Sequence, residues 1–99
     1  LGGLILLMDI RHPLQDYDRQ MLNWAAQAGL PVHILLTKSD KLKRGPAQST
    51  LLKVDSFLRE MDPGVTLLTV QTFSSLKKQG LPELEAQLNR WLSDDVSKA

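Results

Sequence analysis

The sequence predicts an α/β fold, three parallel strands and three helices in the order βαβαβα, and three observations predict it. Short apolar runs recur at residues 4–8, 32–36 and 66–73, and each gives way abruptly to polar residues. The intervals between them place apolar residues at threes and fours, the period of a helix with one buried stripe. Strands and helices that alternate at this spacing imply a parallel sheet joined by right-handed crossovers.

Leu4-Ile5-Leu6-Leu7-Met8 is continuously apolar and closes at Asp9, which suits a strand buried on both faces. From Leu14 to Ala28 the residues Leu14, Tyr17, Met21, Leu22, Trp24, Ala25 and Ala28 predict a helix, which Gly29 and Pro31 stop. Val32-His33-Ile34-Leu35-Leu36 repeats the strand pattern and ends on Thr37-Lys38-Ser39-Asp40. A second helix opens near Pro46, carries Leu51, Val54, Phe57, Leu58 and Met61 on one face, and breaks at Asp62-Pro63-Gly64. The third strand, residues 66–73, ends at Ser74-Ser75. A last helix runs from about Leu81 through Leu84, Leu88, Trp91 and Leu92, and residues 93–99 read as a frayed tail. Met21, Trp24 and Trp91 fall at helical spacing and are read as core.

Composition narrows the function classes. The 99 residues are 42% hydrophobic and 23% charged with a net charge of +1, which excludes a disordered tail, a collagen-like fibre and a histone-like polycation. The absence of cysteine excludes a disulfide scaffold, a cysteine-rich zinc site and a thiol nucleophile. No apolar run approaches the ~20 residues of a membrane span, and residues 1–10 lack the features of a signal peptide, so a cytoplasmic location with no membrane partner is the default expectation. The opening Leu1-Gly2-Gly3 leads straight into a strand and reads as a cut chain.

Ligands of parallel sheets bind at the carboxyl ends of the strands, where Asp9, residues 37–40 and Ser74-Ser75 are expected to meet. Thr37-Lys38-Ser39-Asp40 fits the pattern [Asn/Thr]-Lys-x-Asp, and the chemistry explains the residue types. A carboxylate past a strand end accepts two hydrogen bonds from guanine N1–H and its exocyclic amine, a pairing that adenine does not offer. Asp40 is thus expected to read the base. Lys38, taken as extended chain on the same side, lays its methylenes along the purine, and Thr37 ties neighbouring loops together. In the next loop the Ser75 backbone N–H, with Ser74 before it, is expected to meet guanine O6 and to reject the adenine amine. Taken alone, Ser74-Ser75 would serve equally as a helix N-cap.

With both loops in register, Asp9–Leu14, Leu35–Leu42 and Phe73–Gly80 resemble the EngB group of bacterial GTP-binding proteins. The resemblance spans nearly the whole chain but only the second half of that family's domain, so residues 1–99 are expected to form the C-terminal half of one Ras-like P-loop GTPase domain. It implies GTP or GDP as ligand, with Mg²⁺ in the parent protein. It also implies a part in large ribosomal subunit assembly and a link to division septum formation.

The departures matter equally. No Gly-x-x-x-x-Gly-Lys-[Ser/Thr] loop and no Asp-x-x-Gly occur, so no phosphate cradle, no Mg²⁺ ligand and no catalytic residue is expected in this chain. Leu76 stands where the wider pattern has Lys. Base contacts without phosphate contacts predict weak binding, with Kd around 1 mM or worse.

Asp9 with Arg11 and His12 reads as local hydrogen bonding rather than an acid–base site, and His33 as a partly buried, hydrogen-bonded strand histidine. Lys38, Lys41, Lys43 and Arg44, with Lys77 and Lys78, form a basic rim that supports an alternative, a ribosome or RNA contact module with no bound nucleotide. The apolar edge Leu4–Met8, or the last helix near Trp91, is expected to invite self-association.

Overall fold

The computed structural model describes residues 3–61 and 68–98. The order along the chain is β1 (Leu4–Asp9), α1 (Asp16–Ala28), β2 (Val32–Thr37), a single 3₁₀ turn (Ser39–Lys41), α2 (Arg44–Met61), β3 (Leu68–Thr72) and α3 (Leu81–Lys98). The βαβαβα expectation therefore holds. The break expected at Asp62-Pro63-Gly64, the first two residues of the third apolar run and the side chain of Leu92 lie outside the described residues.

All three strands are parallel, in the order β1-β2-β3. Leu4 pairs with Val32 and Asp9 with Thr37, while Val32 pairs with Leu68 and Leu36 with Thr72. This register brings the carboxyl ends of the strands level. Two right-handed crossovers that step the same way across a sheet put both connecting helices on one face. That face carries the core: Leu6, Met8, Val32, Ile34, Leu36 and Leu68 pack with Leu22 and Ala25 of α1 and Val54 and Leu58 of α2. Leu51, Phe57 and Met61 extend it, as the second helical pattern predicts.

The opposite face is thinner. Its residues include Leu7, His33, Leu35, Thr69 and Gln71, which alternate with the core positions along each strand. α3 lies on this side, and the Trp91 ring sits so close to Gly3 that a Cβ there would fall 2.6 Å from it. Leu7 remains 61% exposed, so β1 is buried on one face rather than both. Among the described side chains of α3, the buried one is Gln87, flanked by half-buried Leu84 and Trp91, while Leu88 and Leu81 are exposed. The helix continues to Lys98, into the segment read from the sequence as a tail.

α1 also departs from its predicted face. Leu14 precedes the helix with φ +57, and the Asp18 carboxylate accepts the Gln15 N–H at 3.1 Å across the first turn. Leu22 and Ala25 are fully buried, whereas Tyr17 is 67% and Trp24 57% exposed. Trp24 is therefore not core, because Tyr17 and Trp24 lie to the side of the stripe through 18, 22 and 25 that meets the sheet, whereas Met21 is half-buried and packs against the core as expected. Gly29 ends the helix at φ +69, and the next residue, Leu30, donates back to Ala25 O at 2.9 Å, a left-handed cap that a Cβ would strain.

Candidate guanine-recognition site

The site is built where β2 and β3 end. The Phe73 N–H donates to Leu36 O (2.9 Å), and the Ser39 N–H donates to Phe73 O (3.1 Å), so the chain leaving β2 is stitched to the chain leaving β3. Lys38 takes the left-handed conformation at φ +59, and the turn Ser39–Lys41 follows, with Lys41 N–H donating to Lys38 O. Lys38 and Asp40 are thus not on extended chain, as the sequence suggested. A left-handed residue followed by a tight turn brings them to the same cavity by another route.

The loop after β3 closes on itself. Ser74 and Gln79 exchange backbone hydrogen bonds, both 2.9 Å, and hold residues 75–78 as turns. Gly80 completes the closure at φ +90, where a Cβ would press against the Thr72 carbonyl oxygen and lie 2.9 Å from Gln71 Nε2. Only glycine fits there. Ser74 is fully buried, and its hydroxyl receives the Lys77 N–H at 3.2 Å while donating to Asp40 Oδ1 at 2.6 Å. The N-cap alternative does not apply, since α3 begins later, at Leu81.

That hydroxyl, more than anything else, holds the Asp40 carboxyl below its ordinary pKa range; the Asp40 backbone N–H and the charges of Lys41 and Lys77 add to it against the opposing effect of desolvation. Asp40 is an anion throughout the neutral range. One of its oxygens is fixed by Ser74, which leaves a carboxylate with acceptor capacity facing outward.

A cavity of about 370 Å³ opens beside it, lined by Leu7, Thr37, Lys38, Asp40, Lys41, Phe73, Ser75 and Leu76. This volume lies within the range of small-molecule sites. Four of the five sequence-predicted residues line it. The fifth, Ser74, does not face it and acts on Asp40 from behind. The Ser75 N–H has no acceptor among the described residues and is free to donate to a ligand. Thr37 donates to Met8 O at 3.2 Å and fastens the end of β1. Lys38 Nζ stands 3.8 Å from Asp9 Oδ2, so its head is turned aside while its stem borders the cavity.

Asp9 is held locally, as expected. Its carboxylate accepts from the Arg11 backbone N–H and from two guanidinium nitrogens at 2.8–3.1 Å, and this pairing pulls its pKa far below the carboxylate range. His33 is likewise a hydrogen-bonded strand histidine, with Nδ1 2.6 Å from Thr69 Oγ1 and Nε2 2.6 Å from Gln71 Oε1.

Sequence reasoning missed the apolar part of the cavity. Leu7, Phe73 and 74% exposed Leu76 supply it. In the sequence Leu76 stands out only as a departure from a lysine, and its position one residue past Ser75 is the available signal. A second cavity of about 410 Å³ lies on the other side of Asp40, bordered by Arg44, Gln48, Thr72, Lys77 and Gln79 among others. Part of the predicted basic rim gathers there.

Proteins of known name resemble the chain closely. It is 51% identical, over its whole length, to the probable GTP-binding protein EngB of Methylobacillus flagellatus, and 54% identical over 93% of its length to that of Hydrogenovibrio crunogenus. It covers 48% and 42% of those two proteins, so it spans a little under half of their length. Among solved structures, translation elongation factor SelB of Methanococcus maripaludis in complex with the GTP analogue GppNHp superposes with a TM-score of 0.79 at 16% identity, over 94% of this chain and 20% of that one. The apo form gives 0.77. These structural likenesses show the fold, three parallel strands and three helices arranged as in part of a Ras-like P-loop fold. No family model matches the chain. At about half identity over all or nearly all of its residues, the chain matches a portion, a little under half, of proteins named as probable EngB GTP-binding proteins.

Proposed function

We propose that this chain supplies the base-selective wall of a guanine-nucleotide site. Asp40 accepts from guanine N1–H and the exocyclic amine, the Ser75 N–H donates to O6, the Lys38 stem and Leu76 border the ring, and Thr37 and Ser74 hold the loops. The observation that carries this reading is the shared cavity in which an ionised Asp40, braced by Ser74, stands with the unpaired Ser75 N–H. An acceptor and a donor so placed match the complementary edge groups of guanine and clash with those of adenine. The residues therefore fit GTP or GDP. Nucleotide phosphates and Mg²⁺ would be held by residues of the whole protein other than these five, and no step of base recognition runs through the metal.

The direct test is a chemical-shift titration of the chain with GDP, GTP and ATP. GDP is expected to bind with Kd around 1 mM and ATP far more weakly. Equal binding of ATP and GDP would overturn the reading, and a micromolar GDP constant would contradict the view that base contacts act alone here.

A second reading, contact with an RNA phosphate backbone, is favoured by one observation. Lys41, Lys43, Arg44, Lys77 and Lys78 have no ion-pair partner among the described residues, and Arg44 and Lys77 border one cavity. Binding to a short ribosomal RNA duplex that weakens steeply with salt would support it. For the whole protein we carry the resemblance further, to GTP hydrolysis, large ribosomal subunit assembly, division septum formation and a cytoplasmic place. No described helix is long and apolar enough to cross a membrane. We also propose self-association through the exposed edge strand β1 around Leu7 or through α3 near Trp91, where Leu88 is exposed; sedimentation as a clean monomer at high concentration would refute it.

A further inference from the structure

We propose that Gln71 is a positioning residue for guanine selectivity: its side-chain amide, braced by His33, holds the closed loop that presents the Ser75 N–H. This rests on the guanine reading above and extends it to residues that do not touch the cavity.

Gln71 lies on the thin face of the sheet and is buried. Its Nε2 donates to Gly80 O at 2.7 Å and to Thr72 O at 3.1 Å. Both carbonyls belong to the stems of the loop that Ser74 and Gln79 close. The amide is thus a strut from β3 to the point where the chain turns into α3. Its other end leaves no freedom. Oε1 can only accept, so His33 Nε2, 2.6 Å away, must carry a proton and donate, and Nδ1 then accepts from the Thr69 hydroxyl at 2.6 Å. A flipped amide would set its N–H groups against the histidine N–H and its oxygen against two carbonyls. The two carbonyls therefore fix which end of Gln71 faces the loop, and the amide oxygen in turn selects the His33 tautomer that braces it.

Gly80 gives independent support. Its φ of +90 and the absent Cβ let the strand end, the Gln71 amide and the loop exit approach as closely as they do. The path from His33 through Gln71 and Gly80 to the Ser74–Gln79 closure ends at Asp40, which the Ser74 hydroxyl grips. Loss of the strut frees the loop exit and spreads the Ser75 N–H over several directions. A diffuse donor discriminates poorly between the O6 of guanine and the amine of adenine.

Gln71→Glu tests this directly, because it keeps an acceptor for His33 and removes both N–H donors to Thr72 O and Gly80 O. In the chain, the ratio of GDP to ADP affinity is expected to fall about tenfold, and exchange of the Ser74 and Gln79 amides to quicken, while core amides such as Leu22 and Val54 keep their protection. A folded Gln71→Glu chain with the parental ratio and parental exchange at Gln79 overturns the proposal. A second measurement needs no variant. At GDP tenfold above Kd, exchange of the Gln71 side-chain amide and of the Gln79 backbone amide should slow together by about tenfold. Slowing at Gln79 alone also overturns it. A parental chain that does not prefer GDP to ADP refutes the guanine reading itself, which separates that failure from failure of the strut.

Discussion

The Ser74 hydroxyl donates a 2.6 Å hydrogen bond to Asp40 Oδ1 across 34 residues of sequence, and this bond joins the two loops of the proposed base site. Ser74 is buried and receives the Lys77 N–H on its other side, so its proton has one direction in which to point. The carboxylate is held from behind by a group that does not line the cavity.

Ser74→Ala should therefore raise the Asp40 pKa toward the ordinary carboxylate value, because the largest influence lowering it is removed. Carboxyl carbon shifts followed through a pH titration measure this. An unchanged Asp40 titration would show that the bond is not populated in solution.

Gly80→Ala should destabilise the chain by about 1–3 kcal/mol, the usual range for a residue held in an unsuitable backbone region, with added crowding against Thr72 O and Gln71 Nε2. For a domain of this size each kcal/mol corresponds to a shift in Tm of about 4–8 °C, which thermal unfolding resolves easily. A Tm equal to that of the parent would contradict the close approach at this turn.

His33 makes stability depend on pH in a definite direction. Burial lowers its pKa, the Gln71 bond opposes that and the Arg90 charge reinforces it, so the net shift is downward. A lowered histidine pKa means that its contribution is present above ~6.5 and is lost as pH falls through the folded-state value. Denaturant midpoints should fall between pH 7.5 and pH 5, and His33→Gln should show a shallower fall. Parallel slopes for the two proteins would refute this.

The helical phase of α1 can be checked by a pair of substitutions. Leu22→Ala, at a fully buried site, should cost about 2–5 kcal/mol, whereas Trp24→Ser, at an exposed one, should stay within about 0.5 kcal/mol of neutral. Equal losses at the two positions would put Trp24 back in the core.

The fold and the polar half of the site were legible for physical reasons that also explain the failures. Val32–Leu36 reads as a strand because it is apolar at every position but His33 and is central in the sheet, where both faces are covered. Leu4–Met8 looks the same, yet it is an edge strand and leaves Leu7 open, because neighbours that cover a residue are not written in its own segment. Tyr17 and Trp24 kept the helical period but lay a fraction of a turn from the sheet, and which of two adjacent stripes faces inward is a tertiary outcome. Thr37, Lys38, Asp40 and Ser75 were found through spacing, since their chemistry lies in short loops after strands. Gln71 and His33 were not connected, because their bond runs between strands and depends on register.

Whether Asp40 reads the base is measured most directly by comparing GDP and xanthosine diphosphate on the parental chain and on Asp40→Asn by chemical-shift titration. An amide offers a donor where the carboxylate only accepts, so the variant should prefer the xanthine nucleotide while the parent prefers GDP. The same preference in both chains would contradict the assignment.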